Sequence, residues 1–265
     1  MELSSIRYGD APVQLILVHG LASNARLWDG VGHELAARGV GALAVDLRGH
    51  GQSPKPDDGY DFDSVVGDLL PFLRSDGRSG RVLDGTPLVV GQSYGGNVVI
   101  HLAARHPDAV RGVVCVDGGA IDLRQRFPRL DDAVEAMKPP YDRFEGTSPE
   151  VMEARLRGSM PDAPETWIRG AMACFDVVDG GVRSRLTWSR HRQIIEAMWH
   201  EPTTELFPKV EVPVLFLMAS ERMRDGVDAA LDALPDGRAV WFDGAHHDVH
   251  AQRPTEVAEL LLGAL

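Results

Sequence analysis

The sequence has few cysteines and no long hydrophobic run. Its two cysteines, Cys115 and Cys174, have a spacing that fits neither a metal-binding pair nor a disulfide framework. We therefore expect a reducing compartment, the cytoplasm. The first twenty residues lack a basic segment followed by an apolar core, and the run VQLILV is too short to span a bilayer. We expect neither a secretory signal nor a membrane span.

Positive charge is also scarce. The chain carries 27 Lys and Arg against 39 Asp and Glu, a formal net charge of −12. Nucleic acids and anionic membranes bind basic patches that displace counterions, and no such patch is present. We expect a small-molecule substrate, no nucleic-acid or membrane partner, and a monomer or homodimer.

Hydrophobic residues are plentiful, at 44% of 265 residues. Six apolar runs are continuous, as in buried strands of a parallel sheet. These runs are Val13–Val18, Gly41–Asp46, Pro87–Gly91, Gly112–Asp117, Val212–Ala219 and Ala239–Asp243. Segments with helical spacing separate most of them, including Gly30–Arg38, Phe62–Leu73, Gly95–Arg105 and the last twelve residues. This alternation predicts a doubly wound, mostly parallel α/β sheet.

The alternation is interrupted once. Between about Gly118 and Pro208 no comparable strand run occurs, and amphipathic stretches rich in Arg, Glu, Met and Trp follow one another. We predict a core made of residues 1–117 and 209–265 and a helical cap made of residues 118–208. Such an insert would cover the carboxyl ends of the strands and form one wall of a pocket.

The run LVVGQSYGGN contains a small polar residue in a glycine-framed corner. Gly91 and Gly95 flank Ser93 at the spacing G-x-S-x-G, directly after an apolar run and before a helical segment. This spacing is typical of a sharp strand-to-helix turn that exposes a serine hydroxyl. Ser93 is therefore the candidate nucleophile.

Four motifs occur in one order along nearly the whole chain: HGLA at residues 19–22, DLRGHGQS at 46–53, GQSYGG at 91–96 and GAHHDVHAQRP at 244–254. With these motifs the chain resembles a cap-bearing α/β-hydrolase of the serine esterase and lactonase kind. The resemblance implies an oxyanion hole formed by the backbone N–H groups of Tyr94 and Leu21. It also implies that His19 holds the oxyanion loop and that Asp46, Arg48 and His50 bind one another and nearby backbone.

The base follows from the last motif. Related hydrolases show G-x-x-H after the final strand, and Gly244 plus three positions gives His247 as the predicted base. We expect structural roles for the neighbouring His246 and His250. Three clustered histidines raise the possibility of a metal site, but only Asp248 adds a ligand type nearby, so no metal is predicted.

The acid of the triad has two candidates. In the usual family pattern it follows the strand VPVLFLMA, where this chain reads ASERMRD and has Arg222 at the expected position, with Glu221 adjacent. In relatives similar to haloalkane dehalogenases and zearalenone lactonases, the acid ends the strand after the nucleophile helix, which here is Asp117. We prefer Asp117 and retain Glu221 as the alternative.

These residues predict a serine hydrolase that cleaves an ester, lactone or thioester of a small, fairly apolar molecule through an acyl-enzyme, without a cofactor. A serine nucleophile disfavours dehalogenation and epoxide opening. The same triad also serves carbon–carbon hydrolases and perhydrolases, and a hydrolase-fold ligand receptor with little turnover is a further alternative.

Overall fold

The computed structural model describes residues 1–74, 83–139 and 143–265. Seven of its strands form one sheet. The sheet strands are β1 (Ser5–Tyr8), β2 (Val13–Val18), β3 (Gly41–Val45), β4 (Leu83–Gln92), β5 (Gly112–Val116), β8 (Val214–Met218) and β9 (Gly237–Trp241). Their order is β1-β3-β2-β4-β5-β8-β9, and all neighbours are parallel except β1 and β3, which are antiparallel. The prediction of a doubly wound, mostly parallel sheet is confirmed.

Helices cover both faces of this sheet, because the apolar side chains of each strand alternate between two sides. The helices are α1 (Asp29–Ala37), α2 (Phe62–Leu69), α3 (Tyr94–Arg105), α9 (Arg224–Ala233) and α11 (Pro254–Gly263), and the short α10 (Val249–Gln252) precedes α11. On β2, Leu15 and Leu17 pack towards α1 and α11, whereas Ile16 and Val18 pack towards α2, α3 and α9. In the part of the chain that the structure describes, no helix combines the length and apolar character needed to cross a bilayer.

The chain between β5 and β8 forms five helices and a hairpin in its described residues. The elements are α4 (Leu123–Arg126), α5 (Leu130–Ala136), α6 (Pro149–Ser159), α7 (Glu165–Met172), β6 (Phe175–Val178), β7 (Gly181–Ser184) and α8 (Trp188–His200). We call residues 118–208 the insert. Its division from the core at 118 and 208 stays a prediction.

The hairpin corrects the expectation that the insert is purely helical. Its strands have only four residues each, too short for the continuous apolar runs that predicted the other strands. The signal that was overlooked is the turn Asp179-Gly180, in which both residues have positive φ, 50° and 79°. Asp-Gly with two positive φ values is a preferred two-residue hairpin connection.

Candidate active site

Ser93 lies at the carboxyl end of β4, where the chain turns into α3. Its φ of 52° and ψ of −119° are unusual for a residue with a side chain. The turn is so tight that a Cβ on Gly91 would lie 2.1 Å from the Gly95 carbonyl oxygen. Glycine is therefore required there, and the G-x-S-x-G spacing produces the corner that the sequence predicted.

The loop after β2 brings Leu21 to the same edge of the sheet. The buried His19 accepts a hydrogen bond at Nε2 from the Leu47 N–H (3.0 Å), so its Nδ1 carries the proton and donates to the Gly20 carbonyl at 2.7 Å. That carbonyl shares a peptide plane with the Leu21 N–H, and fixing one fixes the other. His19 thereby orients Leu21.

Among the described residues, the Ala22 N–H is hydrogen-bonded, whereas the two proposed oxyanion donors, the N–H groups of Leu21 and Tyr94, are not. The Ala22 N–H donates to His50 Nε2 at 3.2 Å. Tyr94 is the first residue of α3, and the first N–H groups of a helix have no intrahelical acceptor. Within the described ranges, neither the Leu21 nor the Tyr94 N–H has an acceptor in the protein, so both are free to bind a ligand oxygen.

Asp117 and His247 meet although they are 130 positions apart. Asp117 follows β5 and His247 lies in the loop after β9; the distance from His247 Nδ1 to Asp117 Oδ2 is 2.5 Å. The other oxygen of Asp117, Oδ1, accepts the N–H groups of Ala219 (2.9 Å) and Ser220 (2.8 Å). A neutral imidazole that donates through Nδ1 keeps Nε2 free to accept a proton.

Opposite pKa shifts accompany this contact. Burial would raise the pKa of Asp117, but the hydrogen bonds from His247 and from the two backbone N–H groups outweigh it and lower the pKa. Burial would lower the pKa of His247, but the hydrogen bond and charge of Asp117, together with the charge of Asp248, outweigh it and raise the pKa. The pair thus favours an ionised carboxylate beside a more basic imidazole.

Glu221, the alternative acid, and His246 and His250, the other two histidines of the last motif, have different surroundings. Glu221 is exposed and binds Arg224, with its Oε2 2.7 Å from Arg224 Nε, and this arginine lowers its pKa. His246 is exposed, and its Nδ1 accepts the Asp248 N–H. His250 is buried in α10 against the Trp28 ring, with ring centroids 4.4 Å apart, and burial lowers its pKa to about 4.

Backbone strain is concentrated at this edge of the sheet. Among the described residues, four non-glycine residues have positive φ, namely Ala22, Ser93, Asp117 and Asp179. The first three belong to the loop after β2, the serine corner and the end of β5. Such conformations persist where the surrounding structure enforces them, and they cluster at functional sites.

Two cavities meet at Ser93 and His247, which line both. The larger has a volume of 720 Å³ and also contains Asp117, Arg126 and Arg222 in its wall. The smaller has a volume of 280 Å³ and is mainly apolar; its further lining residues include Leu21, Ala22, Leu27, Phe144, Met152, Leu156, Ala171 and Phe175. The insert therefore contributes to the walls of both cavities.

Asp248 and its partners are site residues whose contacts the sequence analysis missed. Its Oδ2 accepts the indole N–H of Trp167 at 3.0 Å, which joins helix α7 of the insert to the histidine loop. Gln92 makes longer contacts from Nε2, 3.5 Å to Asp248 Oδ1 and 3.4 Å to the His247 carbonyl oxygen. The sequence signal for these contacts was chain position, since Gln92 directly precedes Ser93 and Asp248 directly follows His247.

The DLRGHGQS stretch shapes the neighbouring loop, with one difference from the expectation. Asp46 accepts backbone N–H groups, with its Oδ1 2.7 Å from the Ala25 nitrogen, and His50 binds the Arg48 carbonyl at 2.9 Å. Arg48 itself pairs with Asp68 at 2.6 Å rather than with Asp46. The partner lies on α2, which local sequence did not indicate.

Three histidines, His246, His247 and His250, lie close together in the chain after β9. Within residues 1–74, 83–139 and 143–265, no group of three or more His, Cys, Asp or Glu side chains is arranged to hold a metal ion. His247 is directed to Asp117, and His250 is directed into the core beside Trp28. The three histidines of the loop therefore have separate surroundings.

Sequence comparisons agree with this architecture. A model of the Alpha/beta hydrolase family matches residues 15–260. The 2-(acetamidomethylene)succinate hydrolase of Mesorhizobium japonicum is 28% identical over 250 residues, covering 93% of this chain and 85% of that protein. Lipase LipV of Mycobacterium tuberculosis is 28% identical over 282 residues, covering 100% of this chain and 98% of the lipase.

Solved structures share the fold. The crystal structure of E-2-(acetamidomethylene)succinate hydrolase matches with a TM-score of 0.80 and 26% identity, over 98% of this chain and 94% of that one. The M. tuberculosis esterase Rv0045c matches with a TM-score of 0.76 and 23% identity, over 99% and 88% of the two chains. The family model spans most of the chain, and the relatives include a lipase and an esterase. This chain therefore belongs to the alpha/beta hydrolase family and is a hydrolase enzyme.

Proposed function

We propose that the protein is a serine hydrolase that cleaves an ester, lactone or thioester of a small, fairly apolar molecule through an acyl-enzyme. The observation that carries this proposal is the 2.5 Å contact between His247 Nδ1 and Asp117 Oδ2, at the point where two cavities share Ser93 and His247. We further propose that the protein is located in the cytoplasm. We also propose that the insert, residues 118–208, forms the cap of the site.

In the first half of the reaction, the Ser93 hydroxyl attacks the substrate carbonyl while His247 Nε2 accepts the hydroxyl proton. A serine hydroxyl is a weak nucleophile until such a base is adjacent. Asp117 holds the tautomer of the imidazole and stabilises its protonated form. The Leu21 and Tyr94 N–H groups bind the oxyanion of the tetrahedral intermediate, a type of contact worth about 2.7–4 kcal/mol of barrier per donor.

The first half ends when this intermediate collapses: protonated His247 donates its proton to the alcohol or thiol, the bond from the carbonyl carbon to that group breaks, and the acyl group remains on Ser93. In the second half, water attacks the acyl carbonyl as His247 accepts its proton, and the same two N–H groups bind the second oxyanion. The bond between the acyl carbon and Ser93 Oγ then breaks, His247 returns the proton to Ser93, and the carboxylic acid is released. The apolar lining of the smaller cavity favours an acyl group with few polar atoms.

The test combines fluorophosphonate labelling with p-nitrophenyl butyrate turnover. We expect Ser93→Ala to abolish both. Asp117→Asn should lower kcat by roughly 10³–10⁴-fold, because an amide favours the wrong imidazole tautomer. Glu221→Gln is the matched acid-to-amide control and should stay within about twofold, since an exposed ion pair with Arg224 contributes little.

Three results would contradict the proposal. Labelling that persists in Ser93→Ala would exclude Ser93 as the nucleophile. A collapse of turnover in Glu221→Gln, with Asp117→Asn active, would assign the acid to Glu221. A wild-type protein that neither labels nor turns over the ester would favour a ligand receptor over an esterase.

A further inference from the structure

Two arginines, Arg126 and Arg222, lie in the wall of the larger cavity beside Ser93. Arg126 is the last residue of α4 in the insert, and Arg222 lies in the short turn Glu221–Met223 after β8. Both are exposed and line the cavity. In the described parts of the chain, neither forms an ion pair with a carboxylate. Two cationic side chains thus border the cavity from the insert and from the core.

The neighbouring arginines behave differently. Arg124, two positions before Arg126, pairs with Glu205. Arg224, two positions after Arg222, pairs with Glu221. Neither Arg124 nor Arg224 lines the cavity. Within the described residues, the two arginines that line the cavity thus have no carboxylate partner, whereas these two near neighbours are paired.

Two of the three acids in the same wall, Asp122 and Asp117, accept hydrogen bonds from other groups of the protein. Asp122 Oδ1 accepts the Gln125 N–H at 2.9 Å, and its Oδ2 accepts the Thr204 hydroxyl at 2.7 Å. Asp117 is bound by His247 and two backbone N–H groups. Asp225, exposed in the first turn of α9, is the remaining acid on this wall. Each guanidinium carries five N–H donors and no acceptor, so Arg126 and Arg222 can only donate hydrogen bonds to a ligand in this cavity.

We propose that the substrate carries a carboxylate on its alcohol or thiol side, which binds Arg126 and Arg222 in the larger cavity. This inference rests on the proposed function. The apolar acyl group occupies the smaller cavity, whose wall includes Leu21 and Ala22 of the oxyanion loop. The leaving group then extends into the larger cavity, where guanidinium groups match a carboxylate in charge and planar geometry.

The turnover experiment compares two isosteric esters, O-butyrylglycolate and O-butyrylglycolamide, in a pH-stat. The measured quantity is the ratio of kcat/KM for the anionic ester to kcat/KM for the neutral one, which cancels general losses of activity. We expect Arg126→Gln and Arg222→Gln each to lower this ratio about tenfold, as charge-assisted hydrogen bonds are lost. Asp225→Asn should raise it.

Arg124→Gln and Arg224→Gln are the matched controls, because they remove the same charge two positions away. Their ratios should stay within about twofold of wild type, because Arg124 and Arg224 do not line the cavity and take part in exposed ion pairs. Unchanged ratios in both Arg126→Gln and Arg222→Gln would overturn the inference. An equal fall in the control variants would also overturn it, because the effect would then come from net charge alone.

A binding measurement separates this inference from the proposed function. Calorimetry with the Ser93→Ala protein should show tighter binding of O-butyrylglycolate than of O-butyrylglycolamide, and adding Arg222→Gln should reduce this ratio of affinities about tenfold. If that pattern holds while wild type hydrolyses neither ester, the anion site stands and the esterase proposal fails. Equal binding of both esters overturns the anion site whatever the turnover.

Discussion

Asp248 is the residue through which the surroundings of His247 can be adjusted without removing a member of the proposed triad. It follows His247 directly, is half-buried, and its negative charge contributes to the raised pKa of His247. Its carboxylate also accepts the Trp167 N–H. An asparagine retains an acceptor oxygen for this bond while removing the charge.

We predict that Asp248→Asn shifts the acid limb of the kcat/KM profile to lower pH. Only neutral His247 can accept the Ser93 proton, so activity falls as pH drops through the His247 pKa. Because a nearby negative charge stabilises the imidazolium, its removal lowers that pKa and moves the limb downward. The pH dependence of p-nitrophenyl butyrate hydrolysis measures the shift.

Asp243→Asn is the control for this profile. Asp243 is an exposed acid near the same loop, and it makes no contribution to the His247 pKa. Its acid limb should coincide with that of wild type. A limb that moves upward in Asp248→Asn, or equally in both variants, would contradict the electrostatic role of Asp248.

At the scale of elements, the junction between β4 and α3 depends on backbone contact. The Cβ of any side chain at position 91 would lie 2.1 Å from the Gly95 carbonyl oxygen, and that oxygen belongs to the first turn of α3. Real Cβ atoms do not approach backbone so closely, so strand and helix would have to separate. The position of Ser93 depends on this junction.

We predict that Gly91→Ala lowers the free energy of unfolding by at least about 1–3 kcal/mol, the range for overpacked interiors, and abolishes fluorophosphonate labelling. Gly67→Ala is the matched control, because Gly67 lies on the exposed side of α2 with no atom within 4 Å of a new Cβ. That change should stabilise the protein by about 0.5–1 kcal/mol. Urea unfolding and labelling of both variants provide the measurement; equal effects would refute the contact argument.

At the scale of the whole molecule, the insert is connected to the histidine loop by the bond from the Trp167 indole N–H to Asp248 Oδ2. Trp167 is buried, with 6% of its surface exposed, and packs with Leu27 and Met160 in a small apolar cluster. A hydrogen bond to a charged group in such surroundings contributes about 1.5–3 kcal/mol. This bond therefore couples the placement of α7 to the loop that contains His247.

A double-mutant cycle tests that coupling. We expect Trp167→Phe and Asp248→Ala to show an interaction energy of about 1 kcal/mol in urea unfolding, within the range for contacting residues. Trp199→Phe is the control, because the Trp199 indole N–H donates to the Phe127 carbonyl at 2.9 Å within the insert. Trp199→Phe and Asp248→Ala should be additive, and additivity of the first pair as well would rule out the coupling.

Much of the fold could be predicted from neighbouring residues alone. β2 has the predicted bounds, Val13–Val18, because a continuous apolar run satisfies a strand buried on both faces. The serine corner was equally local, since two glycines within four positions of each other determine it. β1 and the hairpin of the insert were missed, because strands of four residues hold too few apolar positions to show a period.

The partners of the charged residues could be identified only from the folded structure. Which acid meets His247 depends on the order of β5, β8 and β9 in the sheet. The two candidates, Asp117 and Glu221, lie 104 positions apart in the chain. The pairing of Arg48 with Asp68 and the bond from Trp167 to Asp248 likewise join residues that are distant in the chain. Local periodicity reflects hydrogen bonding and burial among neighbours in the chain, whereas charges find partners across elements whose positions arise only when the sheet assembles.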